Sequence, residues 1–349
     1  MKKILFTGGG SAGHVVPNVA LIEQLLSKGE VEVGYMGTNG IEKQIIAPWH
    51  IPFYCIECPK LVRSGGWKGI KNNLKIPTAF TRAVKQAEKG LREFQPNAVF
   101  SKGGYVALPV VVAAHRLKIP CFAHESDFSP GLANKLSARF CKKVFTSFPE
   151  TAKKIRHGTY SGAPIKRSVL SASRAEAKLH FQIPFEQKTL LIFGGGSGSA
   201  VINTAVREQL QALTKNCTIL HVCGKGNVVK SDVKNYHQFE FISDMGGAYA
   251  CADGVICRAG AGAVFEVLAL KKPTIFIPLE GQTRGDQLEN ATYFQRKGLC
   301  RIVRQANLSQ LSKEVNDLFA DEKLKKCLQD SNYTSGNSVI LSELEKAIE

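Results

Sequence analysis

The sequence sets down the same phrase twice: an apolar run ending in three glycines. It reads Ile4-Leu5-Phe6-Thr7 before Gly8-Gly9-Gly10, and Leu190-Leu191-Ile192-Phe193 before Gly194-Gly195-Gly196. A strand that ends in glycines lets the following helix begin with bare backbone N–H groups, and a helix N-terminus carries partial positive charge that suits a phosphate. At 349 residues the chain exceeds one ordinary core and fits two domains of roughly 150 residues each. The doubled phrase predicts the same division. Two such domains face to face make a cleft, and open α/β sheets bind ligands at the carboxyl ends of their strands.

Strand-like runs at Lys3–Thr7, Val31–Met36, Phe53–Glu57, Ala98–Ser101, Cys121–Ala123 and Lys143–Ser147 alternate with helical patterns such as Pro17–Lys28. The pattern restarts at the second glycines, with strands expected near Thr218–Cys223, Phe239–Ile242, Gly254–Cys257, Thr274–Pro278 and Arg301–Val303. Alternation of this kind predicts parallel, doubly wound sheets. The boundary is expected at Ser161-Gly162-Ala163-Pro164, where small residues and a proline break the pattern. After Asn332–Gly336 a last helix is expected to return to the first domain, giving domains of 1–162 with 334–349 and of 163–333.

With 44% hydrophobic and 21% charged residues the composition is that of a globular protein. No run approaches the ~18 apolar residues of a spanning helix. The apolar run after Met1-Lys2-Lys3 is too short for a signal peptide, which predicts a cytosolic chain and reduced thiols for the ten cysteines. Cys55 and Cys58 form a lone C-x-x-C, read as structural because no second pair or nearby His completes a metal site. The formal charge of +17 calls for an anionic partner: nucleic acid, a membrane surface or a polyphosphate substrate.

Gly8-Gly9-Gly10-Ser11-Ala12-Gly13 satisfies the dinucleotide fingerprint G-x-G-x-x-G, but Val31–Met36 runs out into Gly37-Thr38-Asn39 without the acid that would grip a ribose. The loop also lacks the Lys-Ser/Thr ending of a P-loop. His14 precedes Val15-Val16-Pro17, and proline suits a first helical turn, so the imidazole is expected at a helix N-terminus. The positive end of the dipole disfavours imidazolium and suits His14 to proton transfer, the alternative being a ring that only caps the helix. In Cys257-Arg258-Ala259-Gly260-Ala261-Gly262-Ala263-Val264-Phe265-Glu266, small residues permit close backbone approach. There Glu266 either holds ribose hydroxyls or is a solvated helix carboxylate, and Arg258 either pairs with a diphosphate or braces the loop through carbonyls. Arg284-Gly285-Asp286-Gln287-Leu288-Glu289-Asn290 offers amides and acids suited to sugar hydroxyls. No D-x-D occurs, so leaving-group charge is expected to fall on helix N-termini and cations, with no metal and no cofactor.

These phrases together, with Lys102-Gly103-Gly104-Tyr105, His124-Glu125-Ser126-Asp127, Gly131-Leu132-Ala133-Asn134-Lys135, Gly224-Lys225-Gly226 and Asp244-Met245, run through nearly the whole chain. In them the chain resembles the MurG family of peptidoglycan glycosyltransferases. The resemblance implies an α/β, GT-B fold of two Rossmann-like parallel-sheet domains. It also implies inverting transfer of N-acetylglucosamine from UDP-N-acetylglucosamine to the muramyl C4 hydroxyl of undecaprenyl-diphospho-muramoylpentapeptide, lipid I. The C-terminal domain would hold the donor and the N-terminal one the acceptor.

Residue by residue, the resemblance places Ser11, Ala12 and Gly13 at donor sugar and phosphate, His14 as base, and Gly103, Gly104 and Tyr105 at the acceptor. It places Ile242 at uracil, Ala261, Gly262, Ala263, Val264 and Phe265 in the donor loop, Glu266 at ribose and Gln287 at a sugar hydroxyl. Asp127 is an alternative base or a sugar or acceptor ligand, and Arg258 and Lys166 would meet the diphosphate. Four positions depart from the commonest pattern: Ala12 for glycine, Asp127 for asparagine, Lys166 for arginine, and Gly196 for serine. The last loses a hydroxyl and leaves backbone N–H groups, with Ser197, to hold diphosphate.

Arg63, Lys68, Lys71, Lys75, Arg82, Lys85, Lys89 and Arg92 interleave with Trp67, Ile70, Leu74, Ile76 and Phe80. The mixture suits an anionic membrane surface, here the cytoplasmic face of the inner membrane, with the stripe after Pro77 (Phe80, Val84, Leu91) in the core. Nucleic acid is not expected, since neither aromatic platforms nor a recognition motif is visible. Two alternatives are a UDP-sugar transferase acting on another lipid, separated by acceptor choice, and a non-catalytic nucleotide-sugar binding module, separated by donor turnover.

Overall fold

The computed structural model describes residues 1–59, 76–281 and 285–349. Arg63, Trp67, Lys68, Ile70, Lys71, Leu74, Lys75 and Arg284 lie outside these residues. The chain forms two compact units, Met1–Lys166 with Ser335–Glu349, and Arg167–Thr334.

In the first unit seven described strands, β1 (Lys2–Thr7), β2 (Val31–Gly37), β3 (Phe53–Cys55), β4 (Ala98–Ser101), β5 (Cys121–Glu125), β6 (Lys143–Thr146) and β7 (Gly158–Tyr160), lie in the order β3-β2-β1-β4-β5-β6-β7. All pairings are parallel; Ile4 sits between Val33 on β2 and Ala98 on β4. Alternation along β1 sends its side chains to two separate cores. Ile4 and Phe6 join Val19, Leu21, Ile22 and Leu25 of the helix Val16–Lys28, together with Ile340, Leu341, Leu344 and Ile348 of the last helix, Asn337–Ile348. Leu5 packs on the other face with Val84 and Leu91 of the helix Ile76–Phe94 and Val110 and Val111 of the helix Ala107–Arg116. On the helix Ile76–Phe94, Val84 and Leu91 are buried as the spacing predicts, whereas Ile76 and Phe80 are only half-buried.

In the second unit six described strands, β8 (Thr189–Phe193), β9 (Thr218–Val222), β10 (Tyr236–Phe239), β11 (Gly254–Cys257), β12 (Thr274–Phe276) and β13 (Arg301–Ile302), lie in the order β10-β9-β8-β11-β12-β13, again parallel. The strand expected at Phe239–Ile242 in fact ends at Phe239 and begins at Tyr236. Its outer position explains the difference: β10 pairs on one side only, so polar His237 and Gln238 sit half-buried in it and break the apolar signal. The three-residue edge strand β7 carries no apolar run and was not legible in the sequence.

Strand order reverses direction between β1 and β4 in one sheet and between β8 and β11 in the other. The glycine phrases follow β1 and β8, so each lies at the point where open α/β sheets leave a crevice for ligands.

Candidate active site

In the first unit the loop after β1 is pinned from beneath by neutral polar groups. Tyr35 Oη donates to Gly8 O at 2.8 Å, and Asn18 Nδ2 donates to Thr7 O at 3.1 Å and to Tyr35 Oη at 3.2 Å. A buried carboxylate completes the support: Glu42 accepts from Thr38 N at 2.9 Å, Thr38 Oγ1 at 2.5 Å and Gly10 N at 3.3 Å. Ser11 and Gly13 are exposed, and Ala12–His14 forms a single 3-10 turn that hands over to the helix at Val16, with Pro17 in its first turn. Ser11 Oγ and His14 Nδ1 share a hydrogen bond of 3.0 Å.

The loop after β4 interlocks with this one. Gly103 and Gly104 take φ of +88° and +81°, which a side chain rarely adopts. A Cβ on Gly104 would stand 2.3 Å from Gly9 O and 3.2 Å from His14 Nδ1, so only glycine brings this backbone against the imidazole. The Tyr105 ring lies against Gly10, where a Cβ would meet Cε1 at 2.5 Å, and Cys58 Sγ donates to Tyr105 O at 3.2 Å. Cys58 thus braces the loop; burial pushes its thiol up to about 12. Past β5, Glu125 accepts from Asp127 N at 3.0 Å, Gly131 N at 2.8 Å and Asn134 Nδ2 at 2.9 Å, and Asp127 is half-buried. Ser11, His14, Gly104 and Tyr105 are therefore brought together. Lys166 is half-buried where the first unit gives way to the second.

In the second unit Gly195, Gly196 and Ser197 are exposed, and no atom lies within 4 Å of a Cβ placed on Gly195 or Gly196. Gly198, at φ +77°, approaches Cys223 O so closely that a Cβ would stand 2.1 Å from it. Ser199 then caps the helix Ala200–Glu208, accepting from Ile202 N.

Arg258 follows β11 and is 8% exposed. Its Nη1 donates to Ile277 O at 3.0 Å and Pro278 O at 3.1 Å, and its Nη2 to Ser199 Oγ at 2.8 Å and Gln305 Oε1 at 3.2 Å. Of the two readings the sequence leaves open, the guanidinium takes the bracing one. It ties the ends of β8, β11 and β12 together and leaves its charge behind the glycine loop.

Gly260 N-caps the helix Ala261–Ala269, and Gly262 is exposed with nothing within 4 Å of a Cβ. Val264 and Phe265 turn into the core, Phe265 edge-on to Phe294 at 5.6 Å, so backbone N–H groups and the half-buried Ala263 remain for a ligand. Glu266 is half-buried and accepts from Tyr249 Oη at 2.9 Å. Burial, reinforced by this carboxylate, holds the Tyr249 hydroxyl well above its usual range, so it remains a donor that aims Glu266. Gln287 is half-buried, and its Oε1 accepts from Leu279 N at 3.0 Å. Ile242 is buried in the loop before Asp244, the N-cap of the helix Met245–Cys251. Glu42, Asn18 and Tyr249 carry no local pattern that separates them from ordinary helix residues; the glycines that leave room around Glu42, Gly9, Gly37 and Gly40, hint at it.

Residues 4–146 match the glycosyltransferase family 28 N-terminal domain and residues 189–343 the glycosyltransferase family 28 C-terminal domain. A protein of Clostridium novyi is 41% identical over 360 residues, covering 99% of this chain and 98% of its own. One of Shouchella clausii is 40% identical, covering all of both chains. Both are described as UDP-N-acetylglucosamine–N-acetylmuramyl-(pentapeptide) pyrophosphoryl-undecaprenol N-acetylglucosamine transferases. The crystal structure of Acinetobacter baumannii MurG is 26% identical and matches with a TM-score of 0.75, covering 99% of this chain and 100% of that one.

Proposed function

Since the chain belongs to glycosyltransferase family 28, we propose that it transfers N-acetylglucosamine from UDP-N-acetylglucosamine to the muramyl C4 hydroxyl of undecaprenyl-diphospho-muramoylpentapeptide, with inversion, in peptidoglycan synthesis. The end-to-end likeness to relatives described by that activity carries this assignment.

The second unit takes the donor. Backbone at Ile242 reads uracil, Glu266 accepts from the ribose hydroxyls while Tyr249 holds it, and Gln287, its Oε1 held by Leu279 N, donates its amide NH2 to the sugar. Diphosphate meets the open N–H groups at Gly196, Ser197 and the start of the helix Ala261–Ala269, with Lys166 as a further cation and Arg258 as fixed positive charge beneath the loop. The first unit takes the acceptor against Gly103, Gly104, Tyr105 and Asp127, while Ser11, Ala12 and Gly13 border the donor sugar.

The acceptor oxygen attacks the anomeric carbon as the bond to UDP breaks, and His14 takes the hydroxyl proton. Ser11 orients the ring through its hydrogen bond to Nδ1. The charge that develops on UDP is met by N–H groups and cations, with no metal assigned.

Among the described residues no helix is long and apolar enough to cross a membrane. Peripheral contact with the anionic cytoplasmic face of the inner membrane is supported by the helix Ile76–Phe94, where Arg82, Lys85, Lys89 and Arg92 form an exposed cationic stripe.

Radiolabelled UDP-N-acetylglucosamine and a short-chain lipid I analogue, with and without EDTA, test the assignment. EDTA-resistant label in the disaccharide lipid is expected; binding of UDP without transfer would refute it.

A further inference from the structure

Lys102 ends up where lysines are seldom found. It follows β4, directly before Gly103, and is 2% exposed. Its backbone N donates to Thr7 O at 2.8 Å, which fixes it at the junction of β1 and β4. From there the side chain crosses to the end of β5, where Nζ donates to Ser126 Oγ at 2.6 Å. A buried ammonium is costly unless charges or acceptors compensate it. Two carboxylates, Glu125 and Asp127, lie close enough to favour its charged form.

These two acids are differently placed. Glu125 is buried and already accepts three N–H donors, which ties it to the loop as scaffold. Asp127 is half-exposed on the same loop, one residue beyond the serine that Lys102 holds. His124 is not a rival cation. Burial and the Lys102 charge hold its ring well below the ordinary histidine range, and its Nε2 donates to Gly162 O at 3.0 Å. Asn18 beside Gly8 and Asn134 beside Gly103 are neutral amides, Ser101 Oγ accepts from Gly103 N at 3.2 Å and Thr151 Oγ1 donates to Asp127 O at 3.4 Å; the charged or titratable neighbours are His14, against Gly104, and Lys154, whose Nζ stands over the Phe128 ring.

Resting on the assignment of the first unit to the acceptor, we propose that Lys102 is a positioning residue that acts through Ser126 and Asp127. Its ammonium fixes the loop after β5 and supplies counter-charge to the Asp127 carboxylate that meets the acceptor. The arrangement carries its own pH limit. Burial pushes Lys102 down to about 8, against the pull of Glu125 and Asp127. As pH rises through that value the ammonium loses its proton and the carboxylate its counter-charge, so acceptor binding weakens on the alkaline side.

Steady-state kinetics on wild type, Lys102→Met, Asp127→Asn and the double variant, from neutral to alkaline pH, test the proposal. Lys102→Met raises the acceptor KM about tenfold, the worth of one charge-assisted contact, with donor KM and UDP affinity unchanged. In the Asp127→Asn background the same substitution costs no more than about twofold, because the pair is already broken. The alkaline rise of acceptor KM in wild type disappears in Lys102→Met, and Lys102→Arg, which keeps the charge at all these pH values, restores a low KM if the methionine variant folds poorly. Equal losses in both backgrounds, or an alkaline limb that survives in Lys102→Met, overturn the proposal. Failure of wild type to use the acceptor would instead overturn the functional assignment. The Lys102–Asp127 coupling is then read from thermal unfolding of the same four proteins, where additive losses reject the pair.

Discussion

At the end of β1 the N–H of Gly10 is turned back onto a buried carboxylate, Glu42, and the loop is pinned by the neutral groups of Asn18 and Tyr35. At the end of β8, Gly195 and Gly196 stand open, and the buried guanidinium of Arg258 reaches the cap of the helix that follows. The two phrases that match in sequence thus differ in the group that meets the loop, a carboxylate at the first and a guanidinium at the second. A diphosphate is favoured where N–H groups point outward over a cation and disfavoured where one N–H is already committed to an anion. The same turn chemistry serves the first unit differently, by bringing Gly104 and Ser11 against His14. What lies behind a glycine loop, as much as the glycines, decides what it holds.

Three substitutions press on this contrast. Removing the imidazole has the largest expected effect: His14→Ala lowers kcat by about a thousandfold, as loss of a general base does, while UDP affinity, proposed to rest on the other unit, stays within about twofold. Turnover surviving within about threefold of wild type would remove His14 from the chemistry. Arg258→Met comes next. It leaves two carbonyls and Ser199 without their donor and removes the charge beneath the second loop. A loss of about 3 kcal/mol in urea unfolding and UDP binding weaker by roughly tenfold or more are expected. If calorimetry gave wild-type affinity for UDP in the folded variant, the cation would have no part in holding the diphosphate. Glu42→Gln is the mildest. It turns an amide NH2 toward a backbone donor and is expected to cost about 1–3 kcal/mol of stability, with UDP affinity unmoved. A change in UDP affinity as large as that of Arg258→Met would collapse the distinction between the loops.

Much of the fold was legible because its signals are local. Ile4 and Phe6 alternate with Leu5, and each set fills its own core cluster on one face of the sheet. The edge strands were harder: β7 is only three residues long and β10 is half polar, and a strand paired on one side needs little apolar character to form. The site followed the same division. Glycines, His14 and the helix starts announce themselves by spacing, whereas Glu42 reads as any acid near a helix start until Gly37 and Gly40 make room for it.

The sequence by itself determined two parallel α/β units, the glycine-ended strands, and the residue types at each turn, because strand period, helix spacing and left-handed glycine positions depend on neighbours a few residues away. Only the tertiary structure decided what stands behind those turns. Arg258 is fixed by carbonyls at Ile277 and Pro278, and Lys102 by Ser126, a serine just past the next strand. Charges act across space at distances that chain separation does not encode, so the sign of each loop's surroundings emerges only when the sheet brings distant residues together.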